Sequence, residues 1–172
     1  QPDENFFDIE NHIEKIGLFV DYMVKKSNYT KKSTINKIGQ YNKTKGIVND
    51  IIVEYLKNDE SIHVKGDDIL MTVGAQEAFA IIVSTICNRE SDVVLVENPS
   101  YIGLSSFAKI FNYNIEGIQI DDEGIDLYEL KNKILEINRS HKKVKLLYVI
   151  PDYQNPSGSC MPIGSRLKLL EL

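Results

Sequence analysis

From Phe6 to Lys26 the apolar residues Phe6, Ile9, Ile13, Ile16, Phe19, Val20 and Met23 recur every three or four positions. That spacing predicts an amphipathic helix with one face packed on a neighbour. Residues 27–44 are polar and lack apolar periodicity, which predicts a loop. A second helix follows, with Ile47, Val48, Ile51, Ile52, Tyr55 and Leu56 on its buried side. Beyond residue 68 the pattern changes. Short β-prone runs at Ile69–Val73, Val93–Val96, Ile115–Ile120 and Val144–Ile150 alternate with helical stretches. Those stretches start at Ala75, run from Leu104 to Phe111, and carry Leu127, Leu130, Ile134 and Ile137 behind an Asp126 N-cap. Leu167, Leu169, Leu170 and Leu172 open a last helix, at which the sequence stops in mid-element. Strands separated by helices predict a three-layer α/β/α sandwich. Ile69–Val73, Val93–Val96 and Val144–Ile150 are expected in one parallel or mixed sheet. The last is nearly continuous in apolar residues, as a strand covered on both faces should be.

Composition narrows the classes. A chain of 172 residues with 42% hydrophobic content can bury one real core. A net charge of -5 without a basic block argues against nucleic acid as a partner. No apolar run is long enough to span a bilayer and no signal-peptide pattern opens the chain, so no membrane partner and a cytoplasmic setting are expected. Cys87 and Cys160 lack metal-ligand spacing, and His12, His63 and His141 are scattered, so no metal site is expected. The acidic run Asp121-Asp122-Glu123 reads as a solvated turn.

The candidate chemistry lies where runs end in turns. After Val73 come Gly74, Ala75 and Gln76, small or polar residues opening a helix whose first turn can receive an anion. After Val96, Glu97-Asn98-Pro99-Ser100-Tyr101 sets an aromatic at a strand end, where it could stack on a ring or cap the next helix. After Ile150, Pro151-Asp152-Tyr153-Gln154-Asn155-Pro156-Ser157-Gly158 fixes a turn around the Asn155 amide, at the edge where open α/β sheets bind ligands. Each turn alone is equally compatible with a plain strand-to-helix connection.

Taken together, these residues resemble the pyridoxal-phosphate aminotransferases of the aspartate aminotransferase fold. Pro151, Gln154, Asn155, Pro156, Ser157 and Gly158 match the family's Pro-x-x-Gln-Asn-Pro-Thr-Gly signature, with serine for threonine. Thr72, Gly74, Gln76 and Ala78 match its phosphate loop, and Glu97, Pro99 and Tyr101 match Glu-x-Pro-x-Tyr. Tyr41, ahead of Gly46 and a helix, resembles the tyrosine that reaches the partner subunit's cofactor. The resemblance implies the fold of the family's cofactor-binding large domain, truncated. It divides the chain into an N-terminal helix and arm, residues 1–45, and the first part of that domain, residues 46–172. It implies pyridoxal 5'-phosphate held by Gly74, Ala75, Gln76, Tyr101, Asn155 and Tyr41, amino acid and 2-oxo acid substrates, and a homodimer. The Schiff-base lysine, the aspartate facing the pyridine nitrogen and the carboxylate-binding arginine match nothing before Leu172. No catalytic residue is therefore assigned, and the 172 residues alone are expected to be inactive. A ligand-sensing aminotransferase-like domain of a transcriptional regulator is the alternative. A nucleotide-binding domain is disfavoured, since neither Gly-x-Gly-x-x-Gly nor Gly-Lys-Ser/Thr occurs.

Overall fold

A computed structural model describes residues 9–27, 30–40 and 46–172. By internal contacts the chain divides into residues 1–71 and 72–172.

In the first unit α1 (Ile9–Ser27), α2 (Lys31–Ile38) and α3 (Asn49–Asp59) precede a 3-10 turn, Gly66–Asp68. Val20 of α1 is buried, whereas Ile13 and Ile16 of its expected inner face are exposed. Helix α2 corrects the expected loop over residues 27–44. Thr30 starts it by accepting the Ser33 N–H, and Thr34 is its one buried residue. With so little apolar surface the helix leaves no periodic signature in sequence. Asn49 donates from Nδ2 to the carbonyls of Gly66 and Ile69 at 2.9 and 2.8 Å, fixing α3 to the turn.

The second unit holds α4 (Ala75–Ile86), β1 (Asp92–Asn98), α5 (Ile102–Ile110), β2 (Asn114–Asp121), β3 (Gly124–Ile125), α6 (Leu127–Arg139), β4 (Lys143–Tyr148) and α7 (Ile163–Leu170). The sheet order is β3-β2-β1-β4, with β1 parallel to β2 and β4 and β3 antiparallel to β2. Successive residues of β1 point to opposite faces and build two cores. Val94 and Val96 meet Val83 of α4, Cys87 just after it, and Leu104 and Ala108 of α5. Val93 and Leu95 meet Ile118, Ile125, Leu130 and Ile137, with Leu169 of α7 packed against them. The three layers expected from the alternation of runs are thus present. An irregularity between Val93 and Val94 passes Lys145 outward, keeping Leu146 and Tyr148 on one face and Val144 and Leu147 on the other.

Ile69–Val73 is the correction in the sheet: it forms no strand and joins none of the four. A strand needs a neighbour for its N–H and C=O groups. None of the four strands pairs with this run, and the Ile69 carbonyl is taken by the Asn49 side chain instead. The acidic run is the turn of the β2–β3 hairpin, where Asp121 Oδ1 accepts the Glu123 N–H at 2.7 Å. Asp126 caps α6 as expected, accepting from Tyr128 and Glu129 N–H at 2.8 and 3.0 Å.

Candidate functional site

Helix α4 begins at Gly74, whose φ of 88° and ψ of 172° belong to a region that only glycine enters freely. The first N–H groups of a helix have no intrahelical partner, and Gly74 at the cap position has no side chain to bond them. Nothing lies within 4 Å of where a Gly74 Cβ would stand. An open, positively polarised helix end results, able to take an anionic group. Glu77 is turned back, its Oε2 accepting the Val73 N–H at 2.5 Å.

Gln76 leads from this end to the aromatic. A Cβ added to Gly103 would collide with the Gln76 amide nitrogen and stand 2.6 Å from Tyr101 Cε1, so both side chains rest on Gly103. Tyr101 occupies the N-cap position of α5 without making a capping hydrogen bond, which removes the capping alternative for its ring. Tyr101 is 39% exposed.

The β4 loop is tied to the β1 loop by a buried amide and carboxylate. Gln154 and Glu97 are each 1% exposed. Gln154 Nε2 donates to Glu97 Oε2 at 3.1 Å and to the Pro99 carbonyl at 2.9 Å, and the Ile150 N–H donates to the same Glu97 oxygen at 3.2 Å. On its other side Gln154 Oε1 accepts the Ser157 N–H at 2.9 Å and the Ser157 hydroxyl at 2.7 Å. The hydroxyl that serine shares with threonine is what this loop uses. Asn155, next to Gln154, is exposed. The peptides Asn98–Pro99 and Asn155–Pro156 are cis. Arg166 of α7 holds the far side of the loop through its pair with Asp152 and bonds to the Pro151 and Met161 carbonyls.

Glu97 Oε1 and Ser100 Oγ are buried and unpartnered among the described residues. Burial pushes the Glu97 carboxyl above its ordinary range, against the opposing pull of Gln154 and the Ile150 N–H. Tyr148 is raised as well, first by burial and then by Glu97 and Tyr101. The sign of the Glu97 effect is the reverse of the usual carboxylate. A proton held more tightly in the folded state stabilises it below the unfolded value of about 4.3, and that contribution is lost as pH rises through the folded value. Replacing Glu97 with glutamine should therefore remove a decline in stability on going upward from about pH 4.3. Urea midpoints of both proteins across pH test this; parallel curves would sink it.

Of the residues singled out from sequence, the structure brings Gln76 and Tyr101 together on Gly103 and sets Asn155 beside the amide that reaches the Tyr101 loop. Gly74 and Ala75 head the helix carrying Gln76. Tyr41 lies outside the described residues. Sequence reasoning did not find the Glu97–Gln154 link or the contact at Gly103. The one sign available was a carboxylate closing the apolar run Val93–Val96. Among the described residues no helix is long and apolar enough to cross a membrane, and no group of three or more His, Cys, Asp or Glu is placed to hold a metal.

Comparison with known proteins gives consistent matches. The family model described as "Aminotransferase class I and II" matches residues 18–172. The (S)-3,5-dihydroxyphenylglycine transaminase of Amycolatopsis orientalis is 32% identical over all of this chain, which spans 39% of that protein. The uncharacterized HTH-type transcriptional regulator YisV of Bacillus subtilis is 31% identical over 72% of this chain and 24% of its own length. Among solved structures, an archaeal alanine:glyoxylate aminotransferase superposes with a TM-score of 0.78 at 28% identity, over 99% of this chain and 39% of that one.

Proposed function

The chain belongs to the class I and II aminotransferases, a family dependent on pyridoxal 5'-phosphate, and from that premise we propose that it forms the phosphate- and ring-binding part of an enzyme that moves an amino group between an amino acid and a 2-oxo acid. The observation that carries this reading is the meeting of Gln76 and Tyr101 on Gly103. It sets an open helix end for a phosphate next to an exposed aromatic for a ring.

The residues fit the cofactor in chemistry. The N–H groups of Ala75 and Gln76 would hold the phosphate with the aid of the helix dipole. Tyr101 would cover one face of the ring, and the Asn155 amide would donate to its phenolic oxygen. When bound, the cofactor supplies an electron sink for the bond broken at the substrate's α-carbon and carries the amino group between half-reactions. This chain's residues would hold and orient it. The same reading takes the protein as a cytoplasmic homodimer in which Tyr41 reaches the partner subunit's cofactor phosphate. Among the described residues none of those converging on the site is a lysine, so this stretch is expected to hold the cofactor reversibly and not to turn over substrate.

Titration of the 172-residue chain with pyridoxal 5'-phosphate, followed by absorbance, should show saturable binding that competes with inorganic phosphate. After borohydride reduction and peptide mapping no single lysine should be labelled stoichiometrically. Saturable labelling of one lysine together with transaminase turnover would overturn the reading. The match to a regulator keeps a second reading, a ligand-sensing domain. A helix-turn-helix segment encoded ahead of this chain, with sequence-specific DNA binding by the whole protein, would favour it.

A further inference from the structure

The residue ahead of Asn155 is held at every polar group it has. Gln154 donates its backbone N–H to the Ser159 carbonyl at 2.9 Å, and its carbonyl accepts the Gly158 N–H at 2.5 Å. Its side chain makes the four bonds to Glu97, Pro99 and Ser157 given above. A primary amide has two N–H donors and an oxygen with two lone pairs, so every hydrogen-bonding site of this side chain is used. Two of the four bonds cross 57 and 55 residues of sequence to the segment that ends in Tyr101. The other two close the turn that contains Asn155.

We infer that Gln154, through Glu97 and the Pro99 carbonyl, is a positioning residue that sets the Asn155 amide against the Tyr101 ring, so that the two act on one planar ligand. The inference rests on the proposed cofactor reading and deepens it. Apart from Gln154, the two loops are joined by the Ile150 N–H bond to Glu97, which lies at the strand ends where β1 pairs with β4 and ahead of the turn that contains Asn155. Burial strengthens the link, since a bond excluded from water is not traded for one to solvent. Either partner alone would be a buried polar group short of one bond, which is costly away from water. Glutamine is suited to the task because it both donates and accepts. A glutamate here would lose the two donors facing Glu97 and Pro99, and a leucine would lose all four side-chain bonds.

The test compares two probes, pyridoxal 5'-phosphate and inorganic phosphate, on the 172-residue chain and its Gln154→Leu, Asn155→Ala and doubly substituted forms. The wild type must first bind pyridoxal 5'-phosphate more tightly than phosphate; if it does not, the cofactor reading fails and this inference with it. Given that preference, Gln154→Leu should weaken pyridoxal 5'-phosphate about tenfold, the loss of one well-placed hydrogen bond. Phosphate affinity should be unchanged. In the Asn155→Ala background Gln154→Leu should add nothing further, because it acts through Asn155. Additive losses, an equal loss of phosphate affinity, or an unchanged affinity for pyridoxal 5'-phosphate would each overturn the positioning role while leaving the cofactor reading intact. Should Gln154→Leu not fold, the wild type can be read by NMR. The Gln154 side-chain amide protons should exchange slowly with solvent, and the Asn155 side-chain amide should shift with pyridoxal 5'-phosphate and not with phosphate. Fast exchange at Gln154, or an Asn155 amide that ignores the ring, overturns the inference.

Discussion

Replacing Leu95 with alanine is expected to lower the stability of the 72–172 unit by about 2–5 kcal/mol. Leu95 is fully buried at the middle of β1 and shares a core with Ile118, Leu130 and Ile137. Strand β1 lies between β2 and β4, so its backbone cannot shift to close the space left by the lost side chain. The cost is therefore that of lost transfer energy together with a cavity. The site should suffer with the fold, because β1 delivers Glu97 and the turn to Tyr101. A control is Leu135→Ala on α6, where the side chain is 48% exposed and the change should stay within about 0.5 kcal/mol. Urea unfolding followed by far-ultraviolet circular dichroism reads both variants. Equal midpoints would mean that β1 is not the centre of the packed unit.

The second large effect contrasts one substitution at two glycines. Neither Gly74 nor Gly164 has any atom within 4 Å of a new Cβ, so crowding decides neither case. Gly74 has a φ of 88° and a ψ of 172°, and an alanine there should cost about 1–3 kcal/mol in backbone strain. Gly164 lies in α7 without a positive φ, and an alanine there should instead stabilise by about 0.4–1 kcal/mol, mostly by restricting the unfolded chain. Gly74→Ala should also weaken phosphate binding, since relieving the strain turns the first N–H groups of α4 away from their common direction. Gly164→Ala should leave it unchanged. Thermal unfolding and phosphate titration of the two variants are the measurements. A gain in stability from Gly74→Ala would show that the helix starts in another conformation.

The layers of the fold and the ends of most elements were decided locally. Apolar residues at helical spacing formed α3, α4, α5 and α6, and the Asp126 side chain began α6 by satisfying two N–H groups within three residues. Such signals act over a turn or less, so a sequence can carry them unaided. Val93–Val96 reads as a short apolar strand and is buried in β1, whereas Val144–Ile150, read as the strand covered on both faces, supplies the edge strand β4 and is only partly buried. The turn residues Gly74, Tyr101 and Asn155 were visible for the same reason, since turns demand particular residue types.

What needed a distant partner was decided by the tertiary structure. Ile69–Val73 has the composition of a strand, and no strand forms, because composition does not supply the neighbour that a ladder requires. Helix α2 has almost no apolar face, and its existence rests on the Thr30 cap and on packing beside α1. At the site, Glu97 and Gln154 each stand out as motif positions in sequence, but their contact is not legible until the parallel pairing of β1 with β4 sets their loops side by side. A hydrogen bond across 57 residues depends on the register of two strands, and that register is a property of the whole sheet.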